Sequence, residues 1–224
     1  MAAEATIGAI DADIVARYRR VQTGVVCDAL GRLGMAGWMD GIRPMQLSAK
    51  MAGRARTLRF APRRGAAKPD VNIYEVIRGL GAGDVLVIAT DQSSSWIFGE
   101  NMAHTSMYQG LAGMVTDSCV RDGAELAEMA MPCFARGLAT RPPAGLEIVA
   151  ADIPITCGGA HVQPGDLVVG DADGIVVVPG SQLHEVLVQV EDLDELERQQ
   201  ERAIRDRVPL PELLAVLASK KVKK

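Results

Sequence analysis

The stretch Phe98–Leu126, FGENMAHTSMYQGLAGMVTDSCVRDGAEL, holds Gly99 and Glu100 at one end and Arg121, Asp122 and Glu125 at the other. Between Glu100 and Arg121 the only acid is Asp117. The pattern predicts a helix from Glu100 to Gln109, a strand over AGMVTDS and a second helix beginning near Asp122. Just upstream, VLVIAT is a continuous apolar run of the kind a fully buried strand carries. The resulting order is β-α-β-α, which favours parallel strands with functional groups at their carboxyl ends. One helix and one parallel strand consume the residues between the two acidic ends, so the fold should return those ends to one edge of the sheet.

Working outward, residues 12–35 carry apolar side chains at helical spacing and read as two short helices, with Thr23 placed as an N-cap. MDGIRPM is a turn, and AGRARTLRFA alternates like a half-exposed strand. DVNIYEVIRGL is a helix closed by Gly81. After Pro132 the texture changes to short strands punctuated by Gly-Asp turns. Ser181 can cap a last helix running over 181–207, whose stripe Leu183, Val186, Leu187, Val190, Leu193 and Leu196 wants a partner surface. Residues 208–224 read as a tail with a solvated basic end, SKKVKK.

The 224 residues suit one domain spanning 1–224, and 48% hydrophobic with 23% charged residues is ordinary for a soluble globule. A net charge of −4 offers no uniform positive field to a phosphate backbone, and 4% aromatics form no base-stacking platform, which argues against nucleic acid as a partner. Cys27, Cys119, Cys133 and Cys157 make no C-x-x-C pair and read as reduced thiols. The N-terminus carries acids where a signal peptide needs bases, and no apolar run is long enough to span a membrane. A cytoplasmic location is the expectation.

At the start of the helix after Gly99, the amides of Asn101 and Met102 should lack intrahelical acceptors and offer a seat for a small carboxylate. Asp122 is suited to a hard divalent ion, with Glu100 and Glu125 orienting its waters. Arg121 stays protonated and can donate to a developing oxyanion. The same residues also fit a plain surface ion-pair network that caps a helix. His104 lies one turn after Glu100, where it could approach the site, although a packed structural histidine is the simpler reading. Spaced glycines in GLGAGD precede a strand and are a turn, and Met102, Met107 and Met114 read as core filler.

Gly99-Glu100 followed, after twenty residues, by Arg121-Asp122-x-x-Glu125 resembles the signature of the RraA-like family, which includes divalent-metal-dependent 4-hydroxy-4-methyl-2-oxoglutarate aldolases. VVCDALGRLGMAGWMDGIRPM and GGAHVQPGDLVVGDADGIVVVP extend the likeness over roughly residues 23–207. The resemblance implies an α/β fold, an RraA-like swivelling β/β/α-type domain with a largely parallel sheet and a long C-terminal helix. It also implies retro-aldol cleavage of 4-hydroxy-2-oxo acids to pyruvate, with decarboxylation of oxaloacetate and Mg²⁺ or Mn²⁺ as cofactor. In that scheme Asp122 binds the metal directly, Glu100 and Glu125 act through water, Arg121 holds the 2-oxo oxygen, and Gly99, Asn101 and Met102 seat the carboxylate. Glu100 stands where characterised aldolases commonly have Asp. The family forms trimers or pairs of trimers with sites completed by a neighbour's acids, for which Glu197 and Glu201 are the candidates.

Two other readings bear on the same residues. Some family members restrain a ribonuclease complex without catalysis, and there the acid after the arginine is not dependable, whereas this chain has Asp122. TCGGAHV resembles the phosphohistidine loop of swivelling phosphotransfer domains, with His161 as carrier, but QPGD turns straight into a strand where that loop needs a helix.

Overall fold

The computed structural model describes residues 8–64 and 71–221. The first seven of the N-terminal residues that argue against a signal peptide, and the last three of the basic end, lie outside them. No helix among the described residues is long and apolar enough to cross a membrane.

Helices α1 (Ala12–Arg20) and α2 (Thr23–Arg32) come first, followed by β1 (Arg43–Pro44), β2 (Met51–Pro62), α3 (Ile73–Arg78) and β3 (Asp84–Ala89). The stretch that opens the sequence reading forms β4 (Trp96–Phe98), α4 (Glu100–Gln109), β5 (Gly113–Thr116), β6 (Cys119–Val120) and α5 (Gly123–Glu128). Seven short strands follow: β7 (Cys133–Ala135), β8 (Gly137–Leu138), β9 (Leu146–Ala151), β10 (Ile155–Cys157), β11 (Ala160–Val162), β12 (Leu167–Asp171) and β13 (Gly174–Val178). The chain ends in α6 (Leu183–Arg205) and α7 (Leu210–Ser219).

The main sheet runs β1-β7-β5-β3-β2-β12-β13, with β9 also paired to β2. Its centre, β2-β3-β5-β7, is parallel, as expected, while β1, β9, β12 and β13 pair antiparallel. The sheet is therefore mixed. Met39 N–H donates to Ile175 C=O at 3.0 Å and Arg43 donates to Asp173 C=O at 2.7 Å, so the segment around β1 reaches the far edge at β13 and nearly closes the sheet.

Alternation along β3 explains the layering. Val85, Val87 and Ala89 point into an interior core with Met51, Val115, Phe134 and Val168, whereas Leu86 and Ile88 point outward beneath α3, α4 and α5. A third cluster packs α1, α2 and the apolar stripe of α6 against β12 and β13. That cluster is the partner surface the stripe required.

Several expectations are corrected. The strand β2 is central, because β3 and β12 flank it and its side chains feed all three cores; its arginines reach acids instead of solvent. Gln22 takes the N-cap position of α2, while Thr23 donates from its amide and hydroxyl to Asp171 at 2.8 and 2.7 Å. α3 ends earlier than read, at Gly79. Ser181 lies in a 3₁₀ turn before α6 and does not cap it. The supposed tail forms α7, pinned by Arg32 Nε donating to Lys220 C=O at 2.7 Å and by Lys220 Nζ paired with Glu197 at 2.8 Å. All four cysteines are free, with Cys133 and Cys157 buried.

Candidate active site

A second, three-stranded parallel sheet, β4-β6-β8, builds the site. Its strands are two or three residues long, and β4 pairs directly with β6, so the chain ends entering α4 and α5 emerge side by side. Arg121 N–H donates to Phe98 C=O at 3.1 Å, closing that pairing. The two acidic ends thus meet as expected, through this small sheet and not through neighbouring loops of the main one.

Gly99 is the N-cap of α4 and is extended. A Cβ there would overlap Asp122 Oδ2 and lie 2.9 Å from Arg121 Cγ, so a glycine is what lets the two segments approach. Asp122 adopts the left-handed conformation, φ 58° and ψ 49°, which Asp tolerates better than most residues. Its Oδ2 accepts the Glu100 amide at 3.1 Å and lies 3.4 Å from Arg121 Nε. Carboxylate and guanidinium are therefore held as a pair at the helix entrance.

The first intrahelical bond of α4 runs from Ala103 N–H to Gly99 C=O, and the Glu100 amide is taken by Asp122. The Asn101 and Met102 amides have no acceptor among the described residues, as the sequence predicts. Arg121 stacks over the Trp96 ring, with its guanidinium carbon 4.4 Å from the ring centroid. Beside Trp96, Arg121 and Asp122 opens a cleft of about 770 Å³, lined by these three, Gly123 and residues 138–141. A Cβ on Gly123 would sit 2.5 Å from Leu138 Cδ1, so that exposed side chain would have to turn aside to admit one.

The other residues singled out in the sequence have these surroundings. Glu125 is exposed on the first turn of α5, and among the described residues no group of three or more His, Cys, Asp or Glu side chains is arranged to hold a metal. Glu197 and Glu201 are exposed on α6 and pair within the chain with Lys220 at 2.8 Å and Arg205 at 2.6 Å. His104 stacks on Tyr108 with centroids 6.0 Å apart, and its buried Nδ1 has no hydrogen-bond partner among the described residues. His161 pairs with Thr156 across the β10–β11 hairpin, which is no setting for a carrier histidine ahead of a helix. Sequence reasoning missed Trp96, Leu138 and Arg141; Trp96, one of two tryptophans in an aromatic-poor chain, was the available signal.

The family model described as RraA-like, Aldolase/RraA, matches residues 23–177. The chain belongs to the RraA-like family. A Halalkalibacterium halodurans relative, provisionally named a 4-hydroxy-4-methyl-2-oxoglutarate aldolase, is 31% identical over 197 residues, covering 88% of this chain and 90% of its own. A Thermus thermophilus 4-hydroxy-4-methyl-2-oxoglutarate aldolase is 30% identical over 132 residues, 58% of this chain and 77% of its own. Among solved RraA-like structures, Streptomyces coelicolor RraAS2, described as an unusual member of the RNase ES inhibitor RraA protein family, superposes with a TM-score of 0.78 at 31% identity. It covers 87% of this chain and 98% of its own. The family thus joins lyase names to a ribonuclease-inhibitor name, and the site's chemistry must decide between them.

Proposed function

We propose that this chain is a divalent-metal-dependent lyase that cleaves 4-hydroxy-2-oxo acids, such as 4-hydroxy-4-methyl-2-oxoglutarate, to pyruvate and decarboxylates oxaloacetate at the same site. The observation that carries this reading is the Arg121–Asp122 pair held against the start of α4, with two unpaired amides beside it and a cleft in front. The relatives with aldolase names support it.

The donor set fits Mg²⁺ or Mn²⁺. A small hard cation needs only one or two carboxylates and keeps several waters, and Asp122 is a partly exposed carboxylate lining the cleft. Asp122 would hold the ion directly, and Glu100 and Glu125 would reach it through water. When bound, the ion supplies Lewis-acid polarisation of the 2-oxo oxygen.

The chain's own groups do the rest. The Asn101 and Met102 amides, at the positive end of α4, receive the substrate's C1 carboxylate. Arg121 donates to the 2-oxo oxygen, where charge collects as the C3–C4 bond breaks and its electron pair passes into a pyruvate enolate. The 4-hydroxyl proton leaves to a water positioned by Glu100, giving the carbonyl product, and protonation of the enolate at C3 completes pyruvate. With oxaloacetate the same bond breaks to release carbon dioxide and leaves the same enolate. Trp96 limits the swing of Arg121 by stacking beneath it. We place the enzyme in the cytoplasm as a homotrimer or hexamer acting on a small 2-oxo acid without nucleic acid or membrane, with Glu197 and Glu201 of a neighbouring copy completing the site.

A regulator of a ribonuclease complex is the second reading, supported by the likeness to RraAS2. The paired Arg121 and Asp122 favour the enzyme. Pyruvate release from oxaloacetate and from 4-hydroxy-4-methyl-2-oxoglutarate, with Mg²⁺ and with chelator, separates the two. The lyase reading predicts a loss of at least about 100-fold in Asp122→Ala. Undiminished activity in that variant or in chelator overturns the metal's role, and no pyruvate from the wild type overturns the lyase.

A further inference from the structure

The groups assigned above account for the pyruvyl half of the substrate and leave one cation in the cleft without a task. Arg141 lines the same cleft as Arg121 and Asp122. Among the described residues it has no carboxylate within ion-pairing distance; its polar side-chain contact is Nη1 to the neutral Ser94 Oγ at 3.5 Å. Arg121 is committed to Asp122 and to the Trp96 ring. The cleft lining therefore carries two guanidinium groups against one carboxylate.

The backbone of Arg141 is set in advance. Its carbonyl accepts the Trp96 amide at 3.0 Å, which ties it to β4 and to the residue whose ring supports Arg121. Pro142 and Pro143 follow, and a residue before proline is steered away from helical backbone. Leu138, 61% exposed, gives the cleft an apolar surface that asks nothing polar of a ligand's middle. A guanidinium so placed is complementary to a planar carboxylate, which it can grip through two parallel N–H donors.

We infer that Arg141 is a specificity-determining residue that binds the distal carboxylate of a dicarboxylic 4-hydroxy-2-oxo acid, an inference that rests on the lyase reading of the site. Aldol cleavage leaves that distal carboxylate unchanged on the carbonyl product, so its contact with Arg141 is equal in ground and transition states. The contact therefore acts on KM more than on kcat.

The test compares 4-hydroxy-2-oxoglutarate with 4-hydroxy-2-oxopentanoate, in which a methyl group replaces the distal carboxylate, on wild type, Arg141→Gln and Arg141→Lys. Wild type should prefer the dicarboxylate. In Arg141→Gln the ratio of kcat/KM for the dicarboxylate over the monocarboxylate should fall about tenfold or more, chiefly through KM, with Arg141→Lys between the two. Because both substrates are measured on each variant, any general loss of folded protein cancels in the ratio. A ratio within about twofold of wild type overturns the role of Arg141 and leaves the lyase standing. Failure of the wild type to release pyruvate from either substrate overturns the lyase reading and this inference with it.

Discussion

Gly99 and Asp122 approach so closely that no side chain fits on Gly99 without displacing the Asp122 carboxylate and the Arg121 stem. Gly99 has an extended backbone that any residue can adopt, so space alone requires the glycine. Gly99→Ala should therefore lower kcat/KM for pyruvate release by at least about tenfold while costing about 1–3 kcal/mol of stability, the usual range for overpacking. Steady-state kinetics beside a urea melt checks both. Full activity in the alanine variant would mean that Asp122 has room to move without consequence.

Arg121 and Trp96 give a graded prediction. A stacked guanidinium at a partly exposed site gains about 0.5–1 kcal/mol from the ring, so Trp96→Ala should lower kcat a few-fold and Trp96→Phe less. The ordering of the two variants is the readout. Equal losses would indicate that the ring acts only by filling space.

Asp84 is nearly fully buried and is the hub of an ion-pair cluster: Arg54 reaches it at 2.7 Å, Arg56 at 3.3 Å and the Gly81 amide at 2.8 Å. Asp84→Ala leaves two guanidinium groups facing each other across a lost charge and should cost about 3–5 kcal/mol in urea denaturation. A cost under about 1 kcal/mol would show that water replaces the carboxylate.

This cluster also shows where the sequence misleads. AGRARTLRFA alternates like a half-exposed strand, yet β2 is central, and its Arg54, Arg56 and Arg59 are matched by acids distant in sequence, Asp84, Asp152 and Asp91. By contrast α4 has the bounds its sequence predicts, and Arg121 and Asp122 lie where the motif puts them. Pairing of β4 with β6 was not legible, because strands of two or three residues carry no periodicity. α7 was hidden by the lysines that follow it, although Pro211 in its first turn and its leucines are helix signals. Arg141 lies outside the motif, and only the folded cleft associates it with Arg121.

Burial pushes the Cys133 thiol up to about 12 from an ordinary 9.0, and burial, with a contribution from the Asp117 charge, pushes Cys157 well above its ordinary value. Both should resist iodoacetamide at pH 8 until the chain unfolds. Between pH 9 and about 12 the unfolded chain gives up these protons while the folded chain keeps them, so stability holds below pH 9 and declines through that window. Urea melts at pH 8 and pH 10.5 should show a smaller pH-dependent loss in Cys133→Ala than in wild type. Identical losses would show that Cys133 titrates alike in both states.

The most direct measurement is a crystal structure of the protein with Mg²⁺ and oxalate, a planar mimic of the pyruvate enolate. The expected result is an ion bonded to the Asp122 carboxylate, one oxalate carboxylate on the Asn101 and Met102 amides, and the Arg121 guanidinium on an oxalate oxygen. An ion and oxalate bound elsewhere, with the cleft beside Gly99 filled only by water, would contradict it.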